Sequence, residues 1–131
     1  MDILFEKGIP GFENYNTFLV EEIKGDKNFF SMISKDDLNI GFVCVSPFEI
    51  KKNYEIELNE DTINELRIKD YKDVLVLSLI TLGNSIDTST VNLRAPIIIN
   101  INNNRGKQLI LEDTKYNIKE PLTGSENNAS N

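Results

Sequence analysis

Histidine is absent from this 131-residue chain, and cysteine occurs once, at Cys44. The missing histidine removes the commonest general base, the commonest zinc ligand and every Ser-His or Cys-His nucleophile pair. Asp, Glu, Lys and Tyr remain for acid–base work, which demotes enzymes without excluding them. One cysteine allows no intrachain disulfide, and a cytoplasmic setting is the default expectation. No apolar run approaches the ~20 residues of a membrane helix, so no membrane association is expected. The opening MDILFEKG has an acid at Asp2 and no basic segment, which argues against a secretory signal. Positive charge is also scarce. Lys and Arg total 14 against 21 Asp and Glu, a net charge of −7. Such a surface repels phosphate backbones, so direct nucleic-acid binding is not expected.

The chain that is present suits one domain, long enough to bury roughly two-thirds of its unfolded surface. Apolar residues make up 40% and charged residues 27%, an ordinary globular balance. Alternating and short apolar runs predict strands at 2–6, 17–23, 29–33, 40–45, 54–58, 74–82, 96–102 and 107–112. Turn chemistry separates them at Gly8–Gly11, Lys24–Asp26, Lys35–Asp37, Gly83–Asn84 and Asn103–Gly106, the last reading as a hairpin. One short helix is predicted over 60–68, with Asn59 or Thr62 as N-cap and Glu60 and Asp61 favoured by the helix dipole. The fold class that follows is mostly β: a small antiparallel barrel-like or sandwich domain with that one helix. The domain is placed at 1–122, and TGSENNASN, which lacks large apolar residues, is expected to be a mobile tail over 123–131. Its Asn-Ala-Ser sequon would not meet the glycosylating enzyme in a cytosolic protein.

Most motifs that suggest chemistry have simpler accounts. Gly8, Pro10 and Gly11 lack the Lys-Ser/Thr and helix of a phosphate loop. A turn with Pro10 and Gly11 at its corners, aiming Phe12 at the core, explains them better. Asp36-Asp37 and Glu112-Asp113 lack calcium-loop spacing and read as solvated turns. Cys44, inside GFVCV, reads as a small core residue. Phe29, Phe30, Phe42, Phe48, Tyr54 and Tyr71 have acidic neighbours where a base-stacking platform needs basic ones, so core packing is expected. No metal or cofactor site emerges.

In TVNLRAPIIIN, Pro96 cannot donate a ladder hydrogen bond and belongs at the start of a strand or on an edge. Asn92 can satisfy a bend through its amide, Leu93 packs inward, and Arg94 is expected to face water. A structural corner accounts for every residue type. The remaining feature is charge. Residues 1–60 hold 12 acids against 6 lysines, and residues 61–131 hold 9 acids against 8 bases. YEIELNEDTINEL (54–66) carries Glu55, Glu57, Glu60, Asp61 and Glu65 and no base. Tyr54, Ile56 and Leu58 alternate with the first two acids, which therefore share the outer face of a predicted strand. The segment is either a solvated face or a docking surface for a basic partner.

Taken together, GIPGFE (8–13), IGFVCVSP (40–47), VLVLSLITL (74–82), TVNLRAPIIIN (90–100) and QLILEDTKYNIKEPL (108–122) resemble the FliW family of flagellar assembly factors. Met32-Ile33-Ser34 departs from the Leu-Gln-Ser usual there. The resemblance implies a small β-barrel-like fold, no enzymatic activity, no cofactor and a protein that is monomeric when free. It also implies two partners. One is the RNA-binding translational repressor CsrA, antagonised allosterically by docking beside its RNA site so that flagellin synthesis is relieved. The other is newly made flagellin, whose filament-packing ends are amphipathic helices, held in a chaperone-like partner switch. A carboxylate-dependent enzyme or a small acidic barrel binding carbohydrate or lipid are the alternative classes, each requiring a distinctive pocket.

Overall fold

The computed structural model describes residues 1–112 and 115–123. All of the expected tail 123–131 except Thr123, together with its sequon and Asp113, lies outside the described residues. Among the described residues nine strands form in chain order: β1 Asp2–Leu4, β2 Thr17–Ile23, β3 Asp26–Ser34, β4 Gly41–Val45, β5 Val74–Thr81, β6 Thr90–Val91, β7 Ile97–Asn100, β8 Arg105–Gln108 and β9 Glu120–Pro121. Two helices interrupt them, α1 Pro47–Ile50 and α2 Glu60–Leu66. The sheet runs β4-β3-β2-β1-β8-β7-β5, and pairing of β4 with β5 closes it into a seven-stranded barrel. The β-rich fold expected from sequence is therefore observed.

Every pair in the ring is antiparallel but one. β1 and β8 run parallel, joined at a single register position, Leu4 with Arg105. On one edge of β5 lie both β7 and β6, with residues 92–96 between them forming the corner. β9 pairs with β6 outside the ring.

The barrel interior is filled by Ile3, Phe5, Phe18, Val20, Met32, Leu77, Ile97 and Ile99, together with Cys44. Phe5 and Phe18 meet edge to face, with centroids 5.6 Å apart. Burial pushes the Cys44 thiol pKa up to about 12, as befits a core residue and not a reactive one. β7 is buried on both faces: Ile97 and Ile99 point into the barrel, while Ile98 packs outward with Leu66, Val76 and Leu109. That double burial explains why PIIIN is continuously apolar instead of alternating.

The turn at 9–12 forms as expected. The Phe12 amide donates to the Ile9 carbonyl at 2.7 Å, Gly11 takes φ +88°, and Phe12 packs against the core. The hairpin between β7 and β8 also forms, with Asn104 in the left-handed region at φ 58°.

Four expectations about the elements and the core need correction. Residues 54–58 form no strand, although Tyr54, Ile56 and Leu58 do turn inward and Glu55 and Glu57 outward. Alternation records burial of one face, and this segment lies on the barrel without joining its ladder. The run predicted at 107–112 is paired as β8 only to Gln108, because β8 starts directly after the turn at 101–104. The helix ends at Leu66, where Arg67 turns left-handed at φ 53°, instead of at 68. Phe48 and Tyr71 are not core residues: they are 46% and 80% exposed, on the barrel exterior.

Candidate partner-binding surface

The corner is built around one side chain. Asn92 Oδ1 accepts from the Arg94 and Ala95 amides, both at 3.1 Å, while the Asn92 amide donates to the Leu79 carbonyl on β5 at 2.9 Å. Leu93 is fully buried, and Pro96, also buried, stands immediately before β7. Arg94 differs from expectation. Its Nε donates to the Tyr116 carbonyl at 2.9 Å, so it holds the returning chain against the corner instead of facing water alone.

Two tyrosines that sequence reasoning did not connect complete this region. The Tyr54 hydroxyl donates to the Leu93 carbonyl at 2.8 Å, and its ring lies 4.5 Å from that of Tyr116. The Tyr116 hydroxyl accepts from the Glu55 amide at 2.8 Å. The two rings thus fasten the acidic segment to the corner. Nothing in the sequence pairs residues 54 and 116, since neither sits in a local pattern with the other. Glu120 was missed as well. It is buried, and it is met by Lys51 Nζ at 3.6 Å and Asn117 Nδ2 at 3.0 Å.

The acidic residues divide into two groups. Glu55 and Glu57 are exposed along the segment leading into α2. Glu60 and Asp61 are exposed in the first turn of α2, which Asn59 caps by accepting from the Thr62 amide at 2.8 Å. Glu65 is different. Lys7 Nζ reaches it at 2.7 Å and Lys107 Nζ at 3.0 Å, so its charge is compensated from β8 and from the loop after β1. The hydrogen bond from Lys7, then that from Lys107, holds the Glu65 carboxyl below its ordinary pKa. This is the reverse of the raised carboxylate that an acid–base enzyme requires. Side-chain amides anchor the other end of the helix: Asn100 and Asn103 donate to the Leu66 carbonyl at 2.8 and 2.9 Å. Among the described residues the other four acids make no salt bridge, and the fifth secures the helix that carries two of them.

Two grooves border this face. One, of about 660 Å³, runs between residues 55–59 and 109–112, with Ile56, Leu109, Leu111 and Tyr116 among its lining and Glu55, Glu57, Glu112 and Lys115 also along it. The other, of about 320 Å³, is more apolar and is lined by Phe48, Leu58, Tyr71, Val74 and Leu75 among others. Among the described residues no cluster of three or more metal-ligating side chains occurs, and no helix is long and apolar enough to cross a membrane.

A barrel whose interior is packed with side chains, and whose described acids and grooves lie outside, defines a small closed β-barrel domain with an acidic, grooved exterior. A family model described as FliW protein matches residues 1–122. The flagellar assembly factor FliW of Clostridium botulinum (strain 657 / Type Ba4) is 48% identical over 120 residues, covering 92% of this chain and 84% of that protein. That of Clostridioides difficile (strain 630) is 45% identical over 122 residues, covering 93% and 94%. A crystal structure of the flagellar assembly factor FliW matches with a TM-score of 0.86 at 36% identity, covering 92% of this chain and 84% of that one. The chain belongs to the FliW family of flagellar assembly factors.

Proposed function

We propose that this protein is a cytoplasmic, protein-binding regulator of flagellar synthesis with two alternative partners. It binds the translational repressor CsrA and antagonises it allosterically, relieving repression of flagellin synthesis. It also binds newly made flagellin, so that secretion of flagellin frees it for the repressor. No catalytic step enters this reading. The observation that carries it is membership of the flagellar assembly factor family across residues 1–122, joined to the exposed acids Glu55, Glu57, Glu60 and Asp61. A basic RNA-binding protein is drawn to such a face, and RNA phosphates approaching beside it are repelled. For flagellin, the apolar groove at Phe48, Leu58, Tyr71 and Leu75 offers a seat for one face of an amphipathic helix.

The test is reversal of Glu55, Glu57 and Asp61 to lysine, with purified repressor and flagellin as ligands. Glu65 is left intact because its ion pairs hold α2. Repressor association should slow and weaken at low salt, while flagellin binding should survive and depend little on salt. A folded triple variant that still relieves repression of a flagellin-leader reporter would place the docking face elsewhere. A wild-type protein that captures neither purified partner would end the proposal.

A further inference from the structure

The groove between residues 55–59 and 109–112 has a feature that charge alone does not explain. Leu109 and Leu111 donate their amides to the Pro96 and Arg94 carbonyls, both at 2.8 Å, so this segment is laced to the corner by every second residue. Successive peptide groups of an extended chain point to opposite edges. Ile110 therefore turns its N–H and carbonyl away from the corner, and among the described residues neither has a backbone partner. Across the groove the Glu55 amide is taken by the Tyr116 hydroxyl, whereas the Ile56, Glu57 and Leu58 amides, which alternate between the two sides of the segment, make no backbone hydrogen bond among the described residues. Two extended segments thus flank one cleft, each carrying backbone groups that have no backbone partner among the described residues.

We propose that this groove receives an extended, basic segment of a protein partner, added as a strand against Ile110 with residues 55–58 along its other side. The volume of about 660 Å³ holds roughly four residues of a single strand at ordinary rise, strand separation and sheet thickness. The partly buried Ile56 and Leu111 and the buried Leu109 give the strand an apolar floor for every second side chain. The residues between meet three acids, Glu55, Glu57 and Glu112, and one lysine, Lys115, a lining of net negative charge that sets the partner chemistry as lysine or arginine alternating with apolar residues. Backbone pairing supplies affinity, and the acids supply the choice of sequence. The inference rests on the reading that the acidic face meets a basic protein, and it adds the mode of contact.

The probe is a short capped peptide alternating lysine with valine, titrated into the full-length protein and followed by amide chemical shifts. Expected are shifts centred on Glu55–Leu58 and Leu109–Glu112. An N-methylated version, blocked along one edge, should bind about tenfold more weakly. A glutamate-for-lysine version should fail. On the protein side, Ile110→Pro removes an edge donor that has no partner among the described residues, whereas Ile110→Ala keeps it, so only the proline variant should lose the peptide. The methylated peptide makes the same comparison without altering the protein, should the proline variant misfold. The proposal is overturned if no shifts appear, if they centre on another face, or if the methylated and unmethylated peptides bind alike. Repressor binding by the same wild-type protein, measured alongside, separates failure of this groove from failure of the function proposed above.

Discussion

The Tyr54 hydroxyl donates to the carbonyl of Leu93 at 2.8 Å, and both residues are buried. Leu93 is the innermost residue of the corner, and Tyr54 opens the acidic segment, so one hydrogen bond ties the candidate surface to the barrel wall. Burial raises the Tyr54 pKa above its ordinary value, which keeps the phenol a donor across the physiological range. Tyr54→Phe should leave that carbonyl without its phenol and cost about 1–2 kcal/mol in chemical denaturation. It should also loosen residues 55–58, read as faster amide exchange there than in β5.

Asn92→Ala removes the acceptor for two backbone amides at once. The expected loss is about 1–3 kcal/mol, the usual range for stranding buried polar groups. Partner affinity should be unchanged in the fraction that remains folded. Full stability combined with lost binding would make Asn92 a contact and not a corner.

Gly106 lies under the Phe5 ring. A Cβ there would stand 2.6 Å from Phe5 Cε1 and 2.9 Å from Ile3 Cγ2, both in the packed interior. Gly106→Ala should destabilise by roughly 1–3 kcal/mol, as overpacking does. Pairing it with Phe5→Leu should recover part of that loss, which a thermal melt of the double variant will read.

The Lys7–Glu65 pair sets a pH dependence. The hydrogen bonds and charges of the pair hold the Glu65 carboxyl below the usual carboxylate range in the folded protein and the Lys7 ammonium above the usual lysine range. A lowered carboxyl pKa contributes stability that is present above the unfolded value and lost as pH falls through the folded one. A raised lysine pKa contributes stability that is present below its unfolded value and lost as pH rises through the folded one. Glu65→Gln should therefore be less stable than wild type at neutral pH, and the two should converge in strong acid and strong alkali. Salt should narrow the neutral gap, because Lys7 is largely exposed.

The features legible in the sequence were those whose cause is local. Asn92 and Pro96 announce a corner, Pro10 and Gly11 a turn, and Asn59 a helix start, because each residue acts on its own few neighbours. Pairing across the chain was not legible. Nothing near Val43 in sequence says that it will lie opposite Ile80 and so close the barrel. The segment 54–58 was misread because alternation reports which side chains are buried, not whether a neighbour strand exists. The acids were visible as a run, yet the pairing of Glu65 with a lysine 58 residues earlier was not. The acidic neighbours of Tyr71 argue against a stacking platform and so predict core packing, but its exposure follows from its place in a short 3-10 turn just before β5.

The parallel seam has a consequence for synthesis. β1 to β4 are neighbours in both chain and sheet, so they can pair in the order in which they leave the ribosome. The ring cannot be sealed until Arg105 emerges to meet Leu4. At about 5–20 residues per second, the outer edge of β1 waits open for several seconds. A long apolar edge left bare for that time invites pairing with other chains. β1 is only three residues long and is followed closely by Glu6 and Lys7. Its brevity shields the nascent chain while the finished barrel is still unmade.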